Sequence, residues 1–247
     1  MQLHYETAGD PTAPSVLMIH GFMSSNRQWD LNVERLSKHL HLVMVELWGH
    51  GESPAPTDAA AFNLDTYLAK FEALRSELGL DKWWVIGQSL GGAFALRYAH
   101  AFPERVFGAV FTNSRSTFAM ARADGDTVEK MSADGDLRLL PYHPIHAKRF
   151  PADLKKRMVE AADAMTPETL QRTVANRTSV SSRGDFGELS VPVLLVNGRW
   201  EKKFQPAAEM AQAALPSMQV VNLEGGHSIN IEDAPGFDAA VLSFIQG

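Results

Sequence analysis

The sequence predicts an α/β fold: a mostly parallel sheet flanked by helices, with a helical cap insertion. Three observations predict it. Short apolar runs alternate with helix-period stretches along the 247 residues. Most of these runs are continuously apolar, as in Val16-Leu17-Met18-Ile19, which is the pattern of strands buried on both faces. Between residues 114 and 189 the rhythm stops, and helical patches occur there without a comparable strand.

In chain order, residues 2–7 alternate like a strand, and Gly9-Asp10-Pro11 turns the chain. The run at 16–19 leads directly into His20-Gly21-Phe22. A helix is expected over 28–40, then a buried strand over 42–45 and the loop Glu46-Leu47-Trp48-Gly49-His50-Gly51-Glu52-Ser53-Pro54. Residues 63–78 place Leu64, Leu68, Phe71, Leu74 and Leu78 at three- and four-residue steps, and Gly79 ends that helix. A strand ends at Ile86, a helix runs to Ala101 and stops at Phe102-Pro103, and another buried run spans 106–111. In the insertion, helical patches fall at 154–164 and 167–175, and Phe118, Met120, Met131 and Phe150 supply apolar surface. A strand at 191–196, a helix at 207–214, a strand at 219–223 and an amphipathic helix at 234–245 complete the chain. The organisation expected is a core of residues 1–113 and 190–247, with 114–189 as a helical cap over the carboxyl edge of the sheet, where α/β proteins bind ligands.

With 45% hydrophobic residues the chain can build one domain with a sizeable core. A net charge of -6, without any Lys/Arg stripe, speaks against nucleic acid as a partner, and Lys155-Lys156-Arg157 reads as a solvated helix face. The absence of cysteine excludes disulfides, a thiolate nucleophile and cysteine-based zinc or iron sites, and fits a reducing compartment. Residues 1–10 carry no basic-then-apolar signal pattern, and no uncharged apolar run has the length to span a bilayer. The expectation is a cytoplasmic protein without a membrane partner, acting as a monomer or homodimer.

The stretch Val85-Ile86-Gly87-Gln88-Ser89-Leu90-Gly91-Gly92 carries the chemistry. A strand must reverse into a helix within a few residues, which forces Ser89 into strained backbone geometry while Gly87 and Gly91 leave room for the turn. Ser89 is the candidate nucleophile, and the Leu90 amide lies at a helix N-terminus, where partial positive charge suits a developing oxyanion. Further motifs follow the other apolar runs: His20-Gly21-Phe22, the Gly49 and Gly51 loop, Asn197-Gly198-Arg199-Trp200-Glu201 and Gly225-Gly226-His227.

These five motifs, taken in chain order at strand ends, resemble the α/β-hydrolase fold superfamily over essentially the entire chain. The resemblance implies an eight-strand, mostly parallel sheet with a cap, and a triad in chain order Ser, acid, His. Ser89 matches the nucleophile, Glu201 the acid and His227 the general base. The amides of Phe22 and Leu90 match the oxyanion hole. A serine hydroxyl is a weak nucleophile at neutral pH, so a histidine must take its proton and later return one to the leaving group. A carboxylate behind the histidine fixes the imidazole tautomer. No metal or cofactor is required.

Other residues read as structural. His20 shapes the oxyanion loop through hydrogen bonds, His50 belongs to loop structure, and Asp233 caps the closing helix with Pro235 in its first turn. Arg199 and Trp200 either line the pocket or cover the sheet edge. Arg115, after a strand at the active-site end, is read as an exposed ion pair before a binder of an acidic group.

Two departures from the family pattern are conservative: Glu201 stands where aspartate is usual, and Glu46 begins the loop usually opened by aspartate. His20-Gly-Phe-Met and Glu201-Lys-Lys-Phe204 also resemble the menaquinone-pathway lyases of this fold, which eliminate pyruvate. The arginine which that family places after the elbow glycines is Ala93 here. The expected function is therefore hydrolysis of a small-molecule carboxylic ester or other acyl substrate through an acyl-enzyme. A pyruvate-eliminating lyase is the second reading, and a low-turnover ligand-binding member of the fold the third.

Overall fold

In a computed structural model that describes residues 1–118, 137–140, 142–176 and 179–247, the apolar runs become strands of one sheet. They are β1 (Tyr5–Ala8), β2 (Ser15–Ile19), β3 (His41–Val45), β4 (Trp83–Gly87), β5 (Val106–Phe111), β6 (Val193–Gly198) and β7 (Gln219–Leu223). The order across the sheet is β1-β3-β2-β4-β5-β6-β7. β1 pairs antiparallel with β3, and every other pairing is parallel, with Met18 opposite both Met44 and Ile86. The eight strands implied by the resemblance are corrected to seven among the described residues. The residues themselves carry only seven strand-type runs, and the described part of 112–192 adds none.

Helices cover both faces: α1 (Asp30–Leu36), α2 (Leu64–Glu77), α3 (Leu90–Ala101), α4 (Ala152–Asp163), α5 (Pro167–Ala175), α6 (Gln205–Ala214), α7 (Ile229–Glu232) and α8 (Ala234–Gln246). α2 starts where Asn63 accepts a hydrogen bond from the Thr66 amide at 2.8 Å, an N-cap that satisfies an otherwise orphaned donor. One apolar core fills the face shared by α2 and α3, around Trp83, Phe71, Tyr98 and Phe94. The other lies under α1 and α8, where Trp29 meets Phe237 with ring centres 6.2 Å apart. β6 begins two residues later than the apolar run, because Pro192 has no amide to give the ladder and supplies only its carbonyl, to Ala109 at 2.9 Å. No helix among the described residues is long and apolar enough to cross a membrane.

Between β5 and β6 the described residues form α4, α5 and short 3-10 turns. Met120 and Met131, expected to contribute apolar surface here, lie outside the described residues. Leu140, Ala162, Met165 and Leu170 close over Met23, which follows the β2 strand end. Leu154 and Met158 of α4 meet Ile231 of α7. Arg157 pairs with Asp30 at 2.8 Å, and the Arg172 guanidinium donates to the Pro56 carbonyl at 2.6 Å. This segment thus rests on the loops that leave the carboxyl ends of β2, β3 and β7.

The helix expected over 28–40 is split into a 3-10 turn at Asn26–Trp29 and α1. Its polar residues Gln28 and Asn32 point inward, into a buried amide cluster with Asn230 and Asp238. Burial pushes the Asp238 carboxyl up from 3.8 to about 6, against the pull of the Asn32 hydrogen bond and of Arg35. A folded-state value above the unfolded one favours folding fully below pH ~4, and that contribution is lost as pH rises through about 6. Asp238→Asn keeps the oxygen that accepts from Asn32 and removes the ionisation. It is expected to stabilise the protein at pH 8 by at most about 3 kcal/mol and to leave stability nearly unchanged at pH 4. Urea unfolding at the two pH values checks this, and an equal effect at both would refute it.

Candidate active site

β4 reaches its carboxyl end at Gly87 and the chain turns straight into α3, leaving Ser89 at φ 52°, ψ -114°. A non-glycine residue in this region costs on the order of 1–3 kcal/mol and persists only when its surroundings over-determine it. They do so here. The Gln88 amide donates to the Ile19 carbonyl at 3.1 Å, the Gly91 amide donates to the Gln88 carbonyl at 2.8 Å, and the Ser114 hydroxyl donates to the Ser89 carbonyl. A Cβ at Gly87 would overlap the Gly91 carbonyl, and one at Gly91 would overlap the carbonyls of Ile19 and His20. That contact also brings the loop after β2 against the elbow.

His227 follows β7, and its ring bridges the two other candidate residues. Nε2 stands 2.9 Å from Ser89 Oγ, and Nδ1 stands 2.8 Å from Glu201 Oε2. A carboxylate only accepts, so the Nδ1 hydrogen is committed to Glu201 and Nε2 is left to accept from the serine hydroxyl. The loop of His227 is fixed from two sides. Gln88 Nε2 donates to the His227 carbonyl at 3.1 Å, and the Gly226 amide donates to the Glu232 carboxylate at 3.1 Å.

Glu201 sits in a turn closed by its own amide donating to the Gly198 carbonyl at 3.2 Å. Gly198 is in turn held by the buried side chain of Asn113, which accepts from its amide at 2.7 Å and donates to its carbonyl at 2.9 Å. This two-point grip at the end of β5 was not read from the sequence. The signal available was a polar Asn113 directly after the apolar run at 106–111.

Leu90 opens α3, so no earlier turn accepts from its amide, and Phe22 lies in the loop packed against the elbow. Among the described residues neither amide donates a hydrogen bond within the chain. His20 is buried beneath this loop. Its Nδ1 hydrogen goes to the Gly21 carbonyl at 2.7 Å, and its Nε2 accepts from the Leu47 amide at 3.1 Å. Burial lowers it to about 4 and lowers His50, its neighbour at 5.1 Å between ring centres, to about 3. Both rings are neutral supports of the loops. Glu46 is buried and accepts from the amides of Asn26 at 2.9 Å and Glu52 at 2.6 Å, tying those same loops together.

Arg199 and Trp200 make their contacts with the turn after β7 and with the segment between β5 and β6. Arg199 pairs with Glu224 at 3.0 Å, the Trp200 indole donates to Glu224 at 2.9 Å, and the guanidinium of Arg149 lies 4.4 Å from the Trp200 ring. Asp233 caps α8 through the Gly236 amide at 3.1 Å. The ion pair expected of Arg115 is not made among the described residues, where its side chain is exposed. Ala93 is fully buried in α3 and offers no group to a substrate carboxylate.

Residues 14–181 match a protein family described as alpha/beta hydrolase fold. A pimeloyl acyl-carrier protein methyl ester esterase of Nitrosomonas europaea is 31% identical, over 89% of this chain and 89% of its own. A putative 2-succinyl-6-hydroxy-2,4-cyclohexadiene-1-carboxylate synthase of Bacillus subtilis is 25% identical, over 96% of this chain and 92% of its own. Among solved structures, the enol-lactonase of Burkholderia xenovorans superposes with a TM-score of 0.84 at 21% identity, covering 99% of this chain and 96% of that one, which is a likeness of fold.

Proposed function

The chain belongs to the alpha/beta hydrolase fold family, and on that premise we propose that it cleaves carboxylic esters through a Ser89, Glu201 and His227 triad. The observation that carries this reading is the His227 ring, 2.9 Å from the serine hydroxyl and 2.8 Å from the carboxylate. As Ser89 Oγ bonds to the acyl carbon, its proton passes to His227 Nε2, and Glu201 stabilises the imidazolium. The carbonyl oxygen takes up the negative charge and is held by the Phe22 and Leu90 amides, where loss of one donor raises the barrier by about 3 kcal/mol in comparable sites. Collapse breaks the bond to the alkoxy group, which leaves as the alcohol with the proton from His227. Water then repeats the sequence on the acyl-enzyme, releasing the carboxylic acid and restoring Ser89.

Residues 114–189 act in this proposal as the cap. Its apolar packing on Met23 puts it beside the loop that supplies one oxyanion donor. A cleft closed this way holds a limited acyl chain, so short and medium acyl esters are expected to turn over faster than long ones.

The second reading, elimination of pyruvate from a cyclohexadiene carboxylate, draws on residues 20–23 and 201–204 and on the likeness to the Bacillus subtilis synthase. Ala93 and the higher identity to an esterase favour hydrolysis. A panel of 4-nitrophenyl esters of increasing chain length, run beside a pyruvate-release assay, tests the choice. Pyruvate release far faster than cleavage of any ester would reverse it.

A further inference from the structure

Two hundred residues apart in sequence, the segment after β2 and the segment after His227 are joined by an unbroken line of buried side-chain amides. It begins at Ser24, whose hydroxyl donates to Gln28 Oε1 at 2.9 Å. Gln28 Nε2 donates to Asn230 Oδ1 at 3.0 Å, and Asn230 Nδ2 donates back to the Gln28 carbonyl at 2.7 Å and to Asn32 Oδ1 at 3.2 Å. Asn32 Nδ2 donates to the Asn230 carbonyl at 3.0 Å and to Asp238 at 2.8 Å. All five side chains are buried, and Asn230 and Asn32 have no exposed surface at all.

Two members of this line, Ser24 and Asn230, are placed where the proposed chemistry needs rigidity. Ser24 is two residues beyond Phe22, across Met23, which is buried at φ 55°. Apart from Ser89, Met23 is the non-glycine residue with a left-handed backbone among the described residues, and such a turn holds its shape only if its flanks are pinned. Asn230 is three residues beyond His227, in α7. A core made for stability alone would gain more from apolar side chains here, because each buried amide must first lose its hydration.

We propose that Ser24, Gln28 and Asn230 are positioning residues which couple the oxyanion loop at Phe22 to the loop of His227, so that the oxyanion donor and the base hold one relative placement. This rests on the triad reading given above. The expected signature follows from what such placement serves. A shift of the donor or base affects an interaction formed only in the transition state, so kcat falls while KM stays.

Two variants test it. Ser24→Ala removes one hydroxyl at the oxyanion end. Gln28→Met keeps the length of the side chain and removes both amide contacts, while the Gln28 backbone carbonyl still accepts from Asn230. Each is expected to lower kcat on a short-chain 4-nitrophenyl ester by about tenfold to a hundredfold, with KM within about twofold. Affinity for an alkyl boronic acid, which forms a tetrahedral adduct, should weaken in the same proportion as kcat. The double variant should be little worse than the poorer single one, because both cut the same line.

A merely structural cluster would lower the melting temperature and leave kcat per folded molecule and boronate affinity as in the wild type, and that result would overturn the coupling. Should Gln28→Met not fold, Ser24→Ala alone decides by the same measurements. Wild-type protein that neither hydrolyses esters nor reacts with a fluorophosphonate at Ser89 overturns the triad reading and this inference with it. Wild-type hydrolysis alongside unimpaired variants overturns the coupling alone.

Discussion

Ser89→Ala is expected to remove nearly all ester turnover, by about a millionfold in kcat judging from comparable triad nucleophiles. The change is small in every other respect. Alanine keeps the Cβ, so the strained backbone at φ 52° and the contacts of Gln88, Gly91 and Ser114 around it are retained. What is lost is the oxygen that would bond to the acyl carbon and its 2.9 Å contact with His227 Nε2. Incubation with a fluorophosphonate followed by peptide mass mapping should place the adduct on Ser89 in the wild type and find none in the variant. An adduct on another serine, or an alanine variant with wild-type kcat, would remove Ser89 as nucleophile.

Glu201→Gln should follow closely, lowering kcat by up to about ten-thousandfold. A glutamine can present its NH2 group to His227 Nδ1, and the imidazole then carries its hydrogen on Nε2, facing Ser89, where it cannot accept a proton. Glu201→Asp keeps the charge but falls short by one methylene of the 2.8 Å contact to His227. The turn is pinned by Asn113 through both polar groups of Gly198, so it resists moving inward to compensate. Aspartate is expected to be intermediate, at a loss of about a hundredfold. Both variants need only circular dichroism, to establish folding, and ester kinetics. Near-normal turnover in Glu201→Gln would send the search for the acid elsewhere.

Where local chemistry decides the structure, the sequence was informative. The continuous runs at 16–19, 42–45, 83–86 and 106–111 became strands because only a doubly covered sheet buries them, and Asn63 and Gly79 bound α2 as their side chain and its absence dictate. The Ser89 elbow was legible for the same reason, since the backbone at Gly91 and Gly92 turns back within contact of Gly87. Features set by distant partners were not. One helix was expected over 28–40, while the chain forms a 3-10 turn at Asn26–Trp29 and a helix at Asp30–Leu36, with Gln28 and Asn32 turned to partners 198 to 206 residues away. Asn113, Glu232 and Asn230 carry no local pattern, because an amide or carboxylate gains its meaning only from the backbone it meets. Glu46 reads in sequence as a conservative change, and only the fold shows its carboxylate bridging the amides of Asn26 and Glu52.

The amide line between Gln28 and Asn230 spans 202 residues of chain, and this sets an order on synthesis. A polypeptide made from its N-terminus completes β1 to β5, with Ser89 among them, long before residues 227–238 exist. Through that interval the proposed nucleophile is an ordinary alcohol with no base beside it, and Gln28 and Asn32 lack the partners they will be buried against. In the proposed triad, reactivity therefore comes late, once Glu201 and His227 exist and α7 and α8 dock on α1. On the proposed triad, a growing chain carries its nucleophile long before its acid and its base, an order set by the places of residues 89, 201 and 227 in the sequence.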